Sequence, residues 1–287
     1  MALSELLKIA AQVFLAVTLV VLGDTAGKLL VINGVSPFFV AWSRFVIAAV
    51  LLLPLSGLTW AELRDLLDWR VLLRGVFIAG GICSILTALK TEPIANVFGA
   101  FFIAPMVAYV LAILFLGERP SRIRTILLAL GFCGVLLVVK PGVGVSFGIA
   151  MALLAGTFYG SYLVMTKLVA GDFRPRVLLI SQLLIGSLLL TPVGLSVEMP
   201  ELSTHITLLL LGSAAFSAAG NYLLVIASRT AEASLIAPLV YTQLISATAL
   251  GVWVFGDWPD LTSLFGLVLI SVSGLGTLFF VRRAIAE

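Results

Sequence analysis

Three ionisable residues sit inside stretches that are otherwise apolar: Asp24 and Lys28 in the run around residues 9–31, and Arg44 in the run around 36–56. An ionised side chain at the centre of a bilayer costs roughly 2.5–3.5 kcal/mol on insertion scales, so such groups pair with one another or line water. If the two runs are antiparallel helices, Asp24 lies about 10 Å and Arg44 about 12 Å from their shared end, at 1.5 Å rise per residue. Lys28 is one helical turn from Asp24 and competes for it. Two chemistries are open to such a group. It can tie two helices together, or it can form a solute or proton site whose partners exchange.

Uncharged polar residues fall in other apolar runs at helical spacing. They include Ser84, Asn96, Tyr159, Tyr162, Ser213, Ser217, Asn221, Tyr241 and Gln243. A lipid-facing helix has no use for them, whereas a wetted cavity needs partners for a polar solute. Serine, threonine and asparagine also bond across packed helices, so for any one of them interhelical bonding is the alternative. Pro105 and Pro238 lie within runs and remove backbone hydrogen bonds, which marks them as candidate hinges. Enzyme chemistry finds no support. His205 stands alone, Cys83 and Cys133 are isolated in apolar runs, and no metal or cofactor set emerges. Gly23-Asp24-Thr25-Ala26-Gly27-Lys28-Leu29 has three residues between its glycines where a phosphate loop has four, and Leu29 where that loop carries a hydroxyl. Nucleotide hydrolysis is therefore not expected.

The elements that position these residues follow from composition. The 287 residues are 61% hydrophobic and 11% charged, with mean hydropathy +1.21, against roughly 25% charged in soluble domains. Membrane lipid is the partner this surface fits; the basic residues gather in loops, which argues against nucleic acid. Runs of about 20 apolar residues place ten spans near 9–31, 36–56, 70–89, 93–116, 121–140, 146–169, 176–195, 204–227, 232–255 and 261–281. With both termini cytoplasmic, thirteen Lys and Arg residues (Arg74 among them) face the inner side and three the outer. That is the positive-inside bias expected of a plasma (inner) membrane protein.

Ala88–Pro120 and Ala227–Pro259 align without a gap at an offset of 139 residues, and Lys28-Leu29 matches Lys167-Leu168 at the same offset. Five spans per half make the second half enter from the opposite side. The expectation is an all-α integral membrane protein: ten transmembrane helices in a five-plus-five inverted repeat around a central cavity. Residues 1–141 form one half and 142–287 the other, joined through Lys140–Gly144. Such a pair can work by alternating access.

Ser36-Pro37, Ser43-Arg44-Phe45, Leu51-Leu52-Leu53-Pro54, Ala104-Pro105 and Phe115-Leu116-Gly117-Glu118-Arg119-Pro120 carry a resemblance along nearly the whole chain. So do Gly131, Gly134 and the echo Phe255-Gly256-Asp257-Trp258-Pro259. The chain resembles EamA-type members of the drug/metabolite transporter superfamily. That resemblance implies a secondary carrier of small-molecule solutes whose cavity is lined by spans one to four and six to nine. It points to export of amino acids, aromatic ones included, with a proton as candidate coupling ion. The Asp24-then-Lys28 pattern looks instead like members linked to uptake of riboflavin or S-adenosylmethionine.

Overall fold

In hydrocarbon no water satisfies the backbone, so apolar runs of this length close their hydrogen bonds internally as helices. The computed structural model describes residues 3–59, 62, 64–139, 145–231 and 233–286, and all regular structure among them is helical. The first half contains α1 (Leu3–Ile32), α2 (Pro37–Leu52), α3 (Trp69–Leu89), α4 (Ile94–Phe101), α5 (Ala104–Leu116) and α6 (Arg122–Val139). The second contains α7 (Phe147–Val169), α8 (Pro175–Ser196), α9 (Thr204–Thr230), α10 (Ala233–Val240), α11 (Gln243–Leu250) and α12 (Leu261–Ala286). A single π turn, Gly251–Phe255, extends α11. Helix starts follow local chemistry: Asp68, Ser146 and Ser203 accept from the N–H groups of Arg70, Ile149 and Ile206 and cap α3, α7 and α9. Among the described residues six stretches are long and apolar enough to cross a membrane, and four shorter apolar helices complete ten spans. The junction Lys140–Gly144, and with it the boundary at 141/142, lies outside the described residues.

The halves interlock. α1 packs along α9 and α3 along α7, each pair joining one half to the other, while α6 and α12 pack together at the edge. Close approach needs glycine. A Cβ on Gly220 would stand 2.5 Å from the Ala16 carbonyl, and one on Gly160 would stand 2.5 Å from that of Ala104.

Spans four and nine are each broken, and the breaks are equivalent. α4 gives way to α5 at residues 102–103, and α10 to α11 at 241–242, one repeat later. At both points the bonding shortens to residues three apart. Ile103 N donates to Ala100 O at 3.3 Å and Met106 N to Ile103 O at 3.1 Å. Their counterparts are Thr242 N to Leu239 O at 3.0 Å and Ile245 N to Thr242 O at 3.1 Å. Pro105 falls in the first turn of α5, where a missing N–H is harmless. Pro238 falls within the backbone range of α10, and its side chain lies outside the described residues. The prolines flank the breaks unequally, but the breaks themselves obey the repeat. Broken helices of this kind expose backbone at membrane depth only where protein or a cavity covers it.

Candidate functional site

Asp24 and Arg44 meet in the core. Arg44 Nη1 donates to Asp24 Oδ1 at 2.6 Å, and each side chain is 3% exposed. The remaining guanidinium donors reach Ser213 Oγ at 3.1 Å and the Gly23 carbonyl at 3.0 Å; Ser213 Oγ itself donates to Gly23 O at 2.9 Å. A planar fork with five donors serves these acceptors together, as a lysine ammonium does not. One acid–base triad thus ties α1, α2 and α9.

The repeat places a second triad upside down relative to the first. Ser213 is the counterpart of Arg74, while Gln182 and Tyr162 adjoin the counterparts of Arg44 and Asp24. Arg74 Nη2 donates to Gln182 Oε1 at 2.7 Å and to Tyr162 Oη at 3.0 Å, and Tyr162 donates to Gln182 Oε1 at 3.0 Å. This triad ties α3, α7 and α8. Charge patterning alone assigns Arg74 to the basic rim of the protein, yet its side chain is fully buried.

Beside the first triad lies a cavity of about 30 Å³, room for one or two waters. Its polar lining is Asp24, Arg44, Tyr159, Ser217, Asn221 and Gln243, and Phe101, also in the lining, packs on the Tyr159 ring with centroids 5.1 Å apart. Tyr159 Oη, Asn221 Oδ1 and Gln243 Oε1 are buried without a hydrogen-bond partner. Each such group costs about 1–3 kcal/mol if left unpaired, so three around one void make it a place where water or a polar solute would supply the missing donors. A void of about 10 Å³ between Arg44 and Gln182 continues from it. That void shares Ala48 and Ala218 with a cavity of about 420 Å³ between α2, α8 and α9, which reaches Arg176 at the face where α8 begins.

The opposite face is clamped. Lys28 Nζ lies 3.2 Å from Asp257 Oδ2, donates to the Glu92 carbonyl at 3.2 Å, and stands 4.6 Å above the Phe255 ring. The Glu92 carboxylate accepts from Ser146 Oγ at 2.5 Å. The depression on that face, about 430 Å³ around Asn33, Glu198 and Glu201, shares no lining residue with the central cavity. Lys167, the counterpart of Lys28, donates to the Ala231 carbonyl at 2.7 Å, and Ala231 is the counterpart of Glu92.

Of the residues expected at one site, the fold brings six to the cavity, with Ser213 directly behind Arg44. The structure places the others elsewhere. Lys28 belongs to the clamp because its reach carries it one turn beyond Asp24. Tyr162 belongs to the second triad. Ser84 is buried on α3 away from the cavity lining, and Asn96 is half-buried near the start of α4. Tyr241 falls in the break itself and packs on its own counterpart Phe102, 5.2 Å away. Arg74 and Gln182 are the functional candidates that periodicity missed. Their signal was the repeat: Arg74 stands opposite Ser213 in the polar stripe of α9.

Two interlocked halves with matched helix breaks around a buried polar void define a multi-pass membrane carrier. The chain belongs to the EamA-like transporter family, whose signature covers residues 7–140 and again 146–279. A riboflavin transporter of Rhizobium johnstonii is 28% identical over 228 residues, covering 77% of this chain and 74% of that protein. An S-adenosylmethionine uptake transporter of Rickettsia bellii is 24% identical over 258 residues, 87% and 86% respectively. A crystal structure superposes with TM-score 0.73 at 17% identity, covering 98% of this chain and 99% of that one, which shows the shared fold.

Proposed function

We propose that this chain is a secondary carrier of the plasma (inner) membrane, termini cytoplasmic, that takes up a small, flat, hydrogen-bond-donating metabolite by alternating access. The observation that carries this reading is the set of three unpartnered polar atoms, Tyr159 Oη, Asn221 Oδ1 and Gln243 Oε1, beside the Phe101 and Tyr159 rings. Two of the three accept only, so the fitting solute presents N–H or O–H groups. Heteroaromatic metabolites of the kind named for the relatives, riboflavin and S-adenosylmethionine, have both features. The voids that widen toward one face, with the lysine clamp at the other, support a state open toward the cytoplasm.

Amino acid export is the second reading, and the Asp24–Arg44 pair favours it. A zwitterion offers an ammonium to Asp24 and a carboxylate to Arg44, so it replaces both halves of the pair it breaks. In either reading Asp24 is the candidate proton carrier. The test is exchange by the purified protein in proteoliposomes, using labelled riboflavin, S-adenosylmethionine and tryptophan with and without a pH gradient. Saturable movement of riboflavin or S-adenosylmethionine supports uptake of flat metabolites, and movement of tryptophan alone supports the second reading. If none of the three moves, the proposal is wrong.

A further inference from the structure

Arg74 is a buried cation that holds only neutral partners. Nε donates to Thr166 Oγ1 at 2.8 Å, Nη1 to the Leu178 carbonyl at 2.7 Å, and Nη2 to Tyr162 Oη and Gln182 Oε1. Its carbon centre also lies 4.8 Å from the Tyr162 ring centroid. Among the described residues no carboxylate forms an ion pair with it. A buried charge without a counter-ion is destabilising. The repeat shows what is missing: the first triad has Asp24 where the second has the neighbourhood of Tyr162. Gln182 moreover lines the small void that Arg44 also lines, so one amide separates Arg74 from the passage between the central cavity and the wider one.

We propose that Arg74 is a second station for the solute, one that takes a carboxylate in the place Asp24 holds at Arg44. The proposal rests on the carrier reading above. Rotation of Gln182 away from Arg74 frees one N–H on Nη2, and Nη1 has one N–H still uncommitted, enough for the two oxygens of a carboxylate. The solute's carboxylate would first displace Asp24 from Arg44, then pass Gln182 to Arg74 and leave toward Arg176. Substrates would therefore carry an anionic group as well as hydrogen-bond donors.

Gln182→Glu tests this by giving Arg74 a resident carboxylate. Exchange in proteoliposomes is measured for labelled S-adenosylmethionine and tryptophan, each beside its carboxamide, and for riboflavin. The expected result is a KM at least tenfold higher for the carboxylate solute, no change for the carboxamide, and no loss of thermal stability. Equal effects on acid and amide, or none on either, overturn the proposal while leaving the carrier reading intact. Transport of riboflavin alone by the wild type does the same. Failure of every solute to move removes both. Should Gln182→Glu not fold, Arg74→Gln with Gln182→Leu removes the charge and its acceptor together. That variant should discriminate less between acid and amide than the wild type, what remains resting on Arg44, and discrimination equal to the wild type's refutes the idea.

Discussion

Asp24→Asn, Arg44→Gln and their combination separate what the core ion pair does for the fold from what it does for transport. In Asp24→Asn, the guanidinium keeps only neutral acceptors, Ser213 Oγ, the Gly23 carbonyl and the new amide oxygen, in a site where each member of the native pair is 3% exposed. Removing one member of a buried pair costs about 3–5 kcal/mol, because the other charge is left stranded. Arg44→Gln strands Asp24 in the same way. Replacing both leaves no charge, and exchanging buried pairs for neutral groups is often close to neutral. The singles should therefore sum to far more than the double, with a coupling energy near the upper end of the usual range, about 3 kcal/mol. The assay is a double-mutant cycle by reversible unfolding of the purified protein in mixed micelles. Singles that add within about 0.5 kcal/mol would refute the geometry. The double mutant then carries the functional question: if it folds and still transports, the pair is only structural; if it folds and does not, the charges act on solute or proton.

Lys28→Gln should loosen the clamp to Asp257 and the Glu92 carbonyl, so that Ser217→Cys becomes reactive to a water-soluble thiol reagent from that face; the exchange Lys28→Asp with Asp257→Lys should restore protection, and unchanged labelling throughout would discard the clamp. At the other face, the Arg174 guanidinium, helped by Thr59, holds the Glu62 carboxyl down at about 2 from an ordinary 4.5. Because that value is depressed, the Glu62–Arg174 pair contributes stability above about pH 4.5 and loses it as pH falls toward 2. Carboxyl carbon-13 titration should show this, with Arg174→Ala moving the midpoint upward; a wild-type midpoint above 4 contradicts the contact.

The spans were legible because lipid leaves apolar runs no alternative to the helix, and α3, α7 and α9 fall within a few residues of the expected ranges. Asp24 and Arg44 were legible because helical rise converts sequence distance into depth. Side-chain direction after a break was not. Periodicity along span nine predicts one continuous face, but the shortened bonding at 241–242 resets the phase, which turns Tyr241 onto Phe102 while Gln243 reaches the cavity. Arg74 was hidden by its position five residues into α3, where a basic side chain ordinarily reaches outward to the interface. Lys28 was hidden by length, since its stem carries the ammonium well away from its own turn.

An inverted repeat can exchange the conformations of its halves only if the two resulting states lie within a few kcal/mol of one another. Several features here meet that condition by duplication. The helix breaks are equivalent, Lys28 on Glu92 O is matched by Lys167 on Ala231 O, and Gly117 and Gly256, one repeat apart, both end their helices with positive φ. The triads do not satisfy it, because one contains an acid and the other does not. In the empty protein this difference favours whichever state keeps Asp24 on Arg44. A solute that brings its own carboxylate to Arg74 supplies the missing acid, so the bound carrier would be nearer to symmetric than the empty one. If Arg74 takes the solute's carboxylate as proposed, the asymmetry of the pair would couple solute binding to movement, and a symmetric sequence at these positions would cycle as readily without cargo as with it.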